Sequence, residues 1–312
     1  MWWGKDNSVI LKFRKDYDEI LKTLRPKLFL GELSKVEKNY LTFLSSIFTP
    51  SKRVHEIVIL KTLLLNKEVS IEDIEIVLKR DYSLVEQGVN IENAMKHLSK
   101  DIFTSLSTIK EFEPIVELEK KYSLKKSFKN SYEKNSYFKM LIDDIIDYNL
   151  NYVLKNYKQS TKETILKYKE YTKQQAFWNL NLDFNNGYQV SGYTIFEEQK
   201  KVIIFITLDD SIPFVAYDNV FYDQQRFTWF SKSNRCISRN GILTGEGKIA
   251  NNYYTIEVFL KKKSGENFFY LGEVKQVLSL KESVGKKGEP LVEYELKLKY
   301  EIDSNLFSYF NL

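Results

Sequence analysis

The chain has 312 residues, 43% of them hydrophobic and 29% charged, which argues against global disorder and allows one large core or two smaller ones. A single cysteine, Cys236, excludes an intrachain disulfide framework or a cysteine-rich zinc site, and two histidines far apart, His55 and His97, argue against a histidine metal cluster. No apolar run reaches membrane-span length, and the net charge of +5 permits nucleic-acid contact without demanding it.

The opening MWWGKDNSVILKF lacks the ordered basic, apolar and small-residue regions of a signal peptide. With the lone cysteine, this points to a reducing, cytoplasmic setting. The abrupt start suggests a domain boundary or a piece of a larger protein. From there the sequence reads as helices. In VILKFRKDYDEILKTLR, Val9, Phe13, Tyr17, Ile20 and Leu24 recur at helical spacing on one face. The segments SKVEKNYLTFLSSIF, RVHEIVILKTLLL, SIEDIEIVLKR and NIENAMKHLSKDIF repeat the pattern, with Ser70 and Asp73 placed to cap one of them. Helical character is expected to continue over residues 115–170, most strongly in FKMLIDDIIDYNLNYVLKNY, where Phe138, Leu141, Ile142, Ile145 and Ile146 form a stripe. Lysines over 123–139 are within reach of phosphate in one reading and a solvated helical face in the plainer one.

After Tyr171 the composition changes: nine of the twelve glycines lie beyond it. GYQVSGYTIFEE, KKVIIFITLDD, YYTIEVFLKKKSGENFFYLGEVKQVLSL and EPLVEYELKLKY read as short strands separated by glycine turns, which suggests an antiparallel barrel or sandwich. Charge is neutral overall from residue 171 onward, yet Gln224–Lys248 holds five basic residues and one acidic.

Chemical motifs are sparse. GILTGEGKIA lacks the Lys-Ser or Lys-Thr ending of a phosphate-binding loop and reads as a turn. Asp143, Asp144 and Asp147 read as surface charge beside an apolar stripe, and Asp209 and Asp210 as a strand-end turn. His55, His97 and Cys236 lack the partners of a catalytic site, so no catalytic residue, metal or cofactor is assigned. The exception is FVAYDNVFYDQQRFTWFSKSNRCISRNG. As a strand, Phe227–Ser231 puts Phe227, Trp229 and Ser231 on one side and Thr228 and Phe230 on the other. A ring can cover a nucleobase face, a carboxylate such as Asp218 can accept from an amino edge, and Arg226, Arg235 and Arg239 can meet phosphates. The alternative is a core strand with arginines at its edge.

The ordered series YTKQQAFWNL, GYQVSGYTI, VIIFITL, YDNVFYDQQRFTWFSKSN and FFYLGEV resembles the C-terminal region of bacterial proteins that join a phospholipase-D-like nuclease, a superfamily-two helicase and a modified-base reader. It is also similar to that region of SauUSI-type modification-dependent restriction enzymes. The resemblance covers about residues 165–312 and implies a SET-and-RING-associated, PUA-like β-barrel that flips 5-methylcytosine, or alternatively 5-hydroxymethylcytosine, out of duplex DNA. The expected fold is thus α+β, an N-terminal all-helical domain over 1–165 followed by a β-barrel over 166–312. On this reading Tyr217, Asp218, Phe227, Trp229 and Ser231 surround the base, and Arg226, Lys232, Arg235 and Arg239 contact the backbone. Where the family has serine-glutamine after the tryptophan, this chain has Ser231-Lys232. The nuclease His-x-Lys signature and helicase phosphate loop are absent from the sequence, so the expectation is a non-catalytic recognition region, without cofactor or membrane partner, serving upstream helicase and nuclease domains. A protein-interaction scaffold without base selectivity is the competing expectation.

Overall fold

The computed structural model describes residues 32–101, 113–158, 165–182, 192–208, 219–251, 253–310 and 312. Two compact units emerge. One comprises Met1–Thr164 and Phe177–Asn185, the other Ile165–Ala176 and Asn186–Leu312.

In the first unit, α1 (Lys35–Ser51) opens on a capping box in which the Ser34 hydroxyl accepts from the Glu37 amide and Glu37 accepts from the Ser34 amide. Helix α2 (His55–Leu65) is apolar on nearly every side and is buried from His55 to Leu60. Helix α3 (Ile71–Tyr82) repeats the capping box with Ser70 and Asp73, and α4 (Gly88–Ser99) follows. Residues 115–124 depart from the expected helix. There β1 (Val116–Leu118) and β2 (Tyr122–Leu124) pair antiparallel, with Ile115 and Val116 buried at the hairpin's base. Helices α5 (Lys126–Lys134) and α6 (Ser136–Asn156) complete this part, and α6 buries Phe138, the adjacent Leu141 and Ile142, and then Ile146, Leu150 and Val153, with steps of three or four residues along one face.

A polar knot sits inside this helical core. The Arg53 guanidinium donates to both Glu56 carboxylate oxygens at 2.7–3.2 Å, to the Trp178 carbonyl at 3.0 Å, to Asn181 Oδ1 at 2.7 Å and to Asn93 Oδ1 at 2.8 Å. His97 Nδ1 lies 2.7 Å from the same carboxylate, its ring against Trp178. Burial works to raise the Glu56 carboxyl, but the Arg53 charge and His97 outweigh it and hold the group well below the usual carboxylate range.

The second unit is built on a seven-stranded sheet. Its elements in chain order are β3 (Glu170–Tyr171), α7 (Lys173–Asn179, whose last turn belongs to the first unit), β4 (Tyr193–Phe196), β5 (Lys201–Thr207) and β6 (Arg226–Phe230). Next come β7 (Ser238–Arg239), β8 (Ile242–Leu243), α8 (Gly245–Ala250), β9 (Thr255–Lys261), β10 (Phe268–Val284), β11 (Pro290–Leu298) and α9 (Ser304–Phe310). Sheet order is β4-β5-β9-β10-β11-β6, with β3 on β10; β5 and β9 are parallel and the other pairs antiparallel. Alternation places Val202, Ile204 and Ile206 with Ile256, Val258 and Leu260 in one core that also holds Phe227, Trp229, Tyr294 and Leu296.

The expected SET-and-RING-associated, PUA-like β-barrel is corrected here. The sheet is mixed and does not close: β4 and β6 are its two ends, and no ladder joins them among the described residues. Closure requires backbone pairing all the way round. Here the ends meet through side chains instead, with the Tyr193 ring edge-on to Trp229 at 5.0 Å.

Candidate nucleic-acid interface

The aromatic strand positions the site. Trp229 stands directly opposite Tyr294 in the β6–β11 register, ring centroids 4.8 Å apart, and is 3% exposed. Phe227 is 0% exposed and stacks on Phe221 at 4.9 Å. Beyond Phe230 the ladder is prolonged by Ser231, whose amide donates to the Val292 carbonyl and whose hydroxyl accepts from the Val292 amide, both at 2.9 Å. The Asn234 amide then donates to the Pro290 carbonyl at 2.9 Å, so residues 231–235 run along the turn end of the β10–β11 hairpin. The Ile237 amide reaches Glu282 on that hairpin. Strands β7 and β8 form a two-residue hairpin in which Asn240 and Gly241 both take positive φ, as a tight primed turn requires. Its arm presents Arg239 and Ile242, the latter 73% exposed.

Helix α8 follows at once. The Thr244 hydroxyl caps it by accepting from the Gly247 amide. Gly247 is demanded by contact: a Cβ there would lie 2.2 Å from the Ile237 carbonyl oxygen. The capped turn carries Glu246 to the gap between the sheet ends, where its carboxylate accepts from the Tyr193 hydroxyl and its carbonyl accepts from the Tyr294 hydroxyl at 3.0 Å. Arg235 Nε lies 3.2 Å from the same carboxylate. Lys232 Nζ sits 4.9 Å from the Tyr193 ring centroid. Burial, with the neighbouring Glu246 carboxylate, pushes the Tyr193 phenol well above its ordinary value. Burial, with the Arg235 charge, pushes Lys232 down. The result is a seam with two rings, a buried acceptor-only carboxylate and a cationic rim.

Of the residues expected to form a site, Phe227, Trp229 and Ser231 are buried in or beside the core, and Lys232 and Arg235 gather at the seam. Arg239 is exposed on the β7–β8 arm, and Arg226 is paired to Asp223 at 2.7 Å at the opposite end of β6. Tyr217 and Asp218 lie outside the described residues, as do Asp209 and Asp210. Glu246, Tyr193 and Tyr294 were not picked out from the sequence; the acidic residue inside the otherwise basic Gln224–Lys248 stretch was the available signal. Elsewhere, Asp143 accepts from Tyr132, Asp147 faces Lys61, and His55 and His97 are fully buried. Two lysines of the 123–139 run are paired: Lys125 with Glu117 and Lys129 with Glu133. Among the described residues no group of three potential metal ligands occurs, and no helix is long and apolar enough to cross a membrane.

Residues 4–158 match a family model described as a domain of unknown function, DUF8090, and residues 165–310 match a second, DUF3427, described the same way. No curated protein matches the chain. Among solved structures, the chain has a weak, partial likeness to several proteins. One is a SUVH5 SRA domain in complex with hemimethylated CG DNA, at 14% identity and TM-score 0.32, covering 45% of this chain and 92% of that one. Another is Arabidopsis thaliana SUVH6 in complex with SAM, at 15% identity and TM-score 0.31, covering 51% and 33%. A third is KRYPTONITE in complex with mCHG DNA and SAH, at 14% identity and TM-score 0.31, covering 56% and 42%.

Proposed function

We propose that the second unit binds double-stranded DNA and reads a modified cytosine, 5-methylcytosine first and 5-hydroxymethylcytosine as the alternative. It does so without cutting, as the target-recognition part of a modification-dependent restriction enzyme whose motor and nuclease are separate domains. The observation that carries this reading is the seam: Lys232 and Arg235 rim a buried carboxylate and rings at the open edge of a sheet, with Arg239 on a short arm beside it. The cations supply phosphate contact, which positions a duplex, while rings and carboxylate supply what a single base requires. The ordered sequence resemblance of residues 171–274 to modified-base readers supplies the choice of base. Tyr217 and Asp218 are the proposed ring and acceptor on the base, with Trp229 backing the pocket.

Energetics set what to expect. Extruding a base costs a few kcal/mol, and stacking on an aromatic side chain returns about 1–3 kcal/mol per base. Burying the 5-methyl group adds about 0.8 kcal/mol, roughly a fourfold preference, so stronger selectivity has to come from pocket shape. The test is titration of the full chain with matched duplexes that differ only in cytosine methylation, at two salt concentrations. Salt weakens the phosphate contacts common to both duplexes and leaves the preference. A ratio of about threefold or more, retained at the higher salt, supports the reading; equal affinities at both salts refute it.

A further inference from the structure

We propose that the Arg235–Glu246 ion pair is a gate on duplex binding: in the free protein Arg235 is held by Glu246, and DNA binding requires it to exchange that carboxylate for a backbone phosphate. This inference rests on the reading of the seam as a DNA-binding site.

The two partners sit in different solvents. The Arg235 side chain is 46% exposed, that of Glu246 only 9%. The arginine can therefore leave toward a ligand, giving up its contacts with Glu246 and the Tyr193 hydroxyl, while the glutamate cannot follow. The contact is also a light one. Arg235 meets Glu246 through Nε at 3.2 Å, whereas Arg53 grips Glu56 through both Nε and a terminal nitrogen. A guanidinium carries five N–H donors in a planar fork that matches phosphate as well as carboxylate. Backbone anchoring supports the swing: Asn234 and Arg235 both donate their amides to the Pro290 carbonyl, which fixes the main chain and leaves the long side chain to choose its partner. Glu246 stays in place when released, because Tyr193 still donates to its carboxylate and Tyr294 to its carbonyl.

The consequence is a higher threshold for binding any duplex, with the ratio of affinities for modified and unmodified DNA left unchanged. Every duplex presents phosphates, so any duplex has to break the pair before Arg235 can help bind it. The cost falls equally on modified and unmodified DNA, but only modified DNA has the pocket interactions to offset it. Glu246 thereby acts as a positioning residue for Arg235 and weakens every duplex by the same factor, so that at a given concentration duplex with pocket interactions stays bound and duplex without them does not.

A double-mutant cycle with salt titration decides it, using the full chain and unmodified duplex. Arg235→Gln is expected to lower the slope of log affinity against log salt by about one, the signature of one lost phosphate contact. Glu246→Gln keeps a hydrogen-bonding group for Tyr193 and removes the competing charge. It is expected to tighten unmodified duplex by about twofold to fivefold, the range for breaking a half-exposed pair. In the Arg235→Gln background the same Glu246→Gln change should leave affinity unaltered. An unchanged salt slope in Arg235→Gln overturns the gate, and so does equal tightening by Glu246→Gln in both backgrounds. If Glu246→Gln fails to fold, the slope of the Arg235→Gln chain, changed at a half-exposed position, decides alone. Loss of modification preference in the unaltered chain instead sinks the reading of the seam, so the two failures remain separate.

Discussion

Truncating Trp229 to alanine separates a ring that holds the seam together from one that chiefly contacts a base. The indole is 3% exposed, edge-on to Tyr193 at 5.0 Å and against Tyr294 at 4.8 Å, and it belongs to the large cluster of the second unit. Removing a buried indole at such a site costs about 3–5 kcal/mol, the transfer term plus the cavity left behind. The Tyr193 and Tyr294 contacts contribute at the upper end of that range, since aromatic pairs add about 0.5–1.5 kcal/mol each beyond area. Trp229→Phe keeps a ring against both tyrosines and is expected to cost about 0.5–3 kcal/mol. The assay is urea denaturation of the full chain by circular dichroism, followed by duplex titration of whichever variants fold. If Trp229→Ala loses less than about 1 kcal/mol, the ring is not a core member and the packing argument is wrong. If Trp229→Phe folds and binds duplex but no longer distinguishes modified cytosine, the indole faces the base directly and does more than back the pocket.

Three further outcomes follow from particular contacts. Gly247→Ala, whose Cβ would meet the Ile237 carbonyl at 2.2 Å and Leu243 at 2.9 Å, is expected to cost about 1–3 kcal/mol and to weaken duplex binding by displacing Glu246; Gly241→Asn, in open space at φ +77°, should cost less than about 0.5 kcal/mol, and reversed ranking would refute the packing argument. Arg53→Met leaves Glu56 buried without its guanidinium and should cost about 3–5 kcal/mol in the same denaturation assay, a loss below about 1 kcal/mol showing that the knot is incidental. Burial and the Arg53 charge push His55 from its ordinary 6.5 down to about 4. The unfolded chain therefore binds that proton first, and stability present above pH 6.5 is lost as pH falls toward 4, by about 3 kcal/mol. His55→Asn should flatten that window; an unchanged pH profile would show that another group titrates there.

Much of the fold is legible in sequence because it is local. The capping pair Ser70 and Asp73, the α6 stripe and the alternation along β11 each reflect spacing within one element, and each lies where that spacing predicts. Two local readings missed. The helix expected over residues 115–124 is instead a short hairpin, opened by β-branched Ile115 and Val116. GILTGEGKIA read as a turn, but Thr244 caps a six-residue helix in it. The remaining misses are long-range. The residues that satisfy the knot at Arg53 and Glu56 include Trp178 and Asn181, 125 and 128 positions beyond Arg53. Glu246 is buried by Tyr193, 53 positions away, and no periodicity announces that meeting.

Whether the sheet closes is also a long-range matter, and it bears on what the site can do. Strand alternation sets which residues face the core but does not say whether the first and last strands pair. In a closed barrel, β4 and β6 would satisfy each other's backbone groups. Here β6 finds other partners: the Thr228 amide donates to the Val220 carbonyl and the Tyr222 amide to the Arg226 carbonyl, both at 2.8 Å. The junction of β4 with β6 is left to side chains, Tyr193 on Trp229, Tyr193 to Glu246 and Arg235 to Glu246. Parting such a junction strands no row of buried backbone groups, each of which would cost about 1–3 kcal/mol if left unpaired. It costs the Tyr193–Trp229 ring contact and needs new partners for one carboxylate and one guanidinium. On the proposed reading, a base would enter where side chains part, whereas in a closed barrel a continuous ladder would have to be torn.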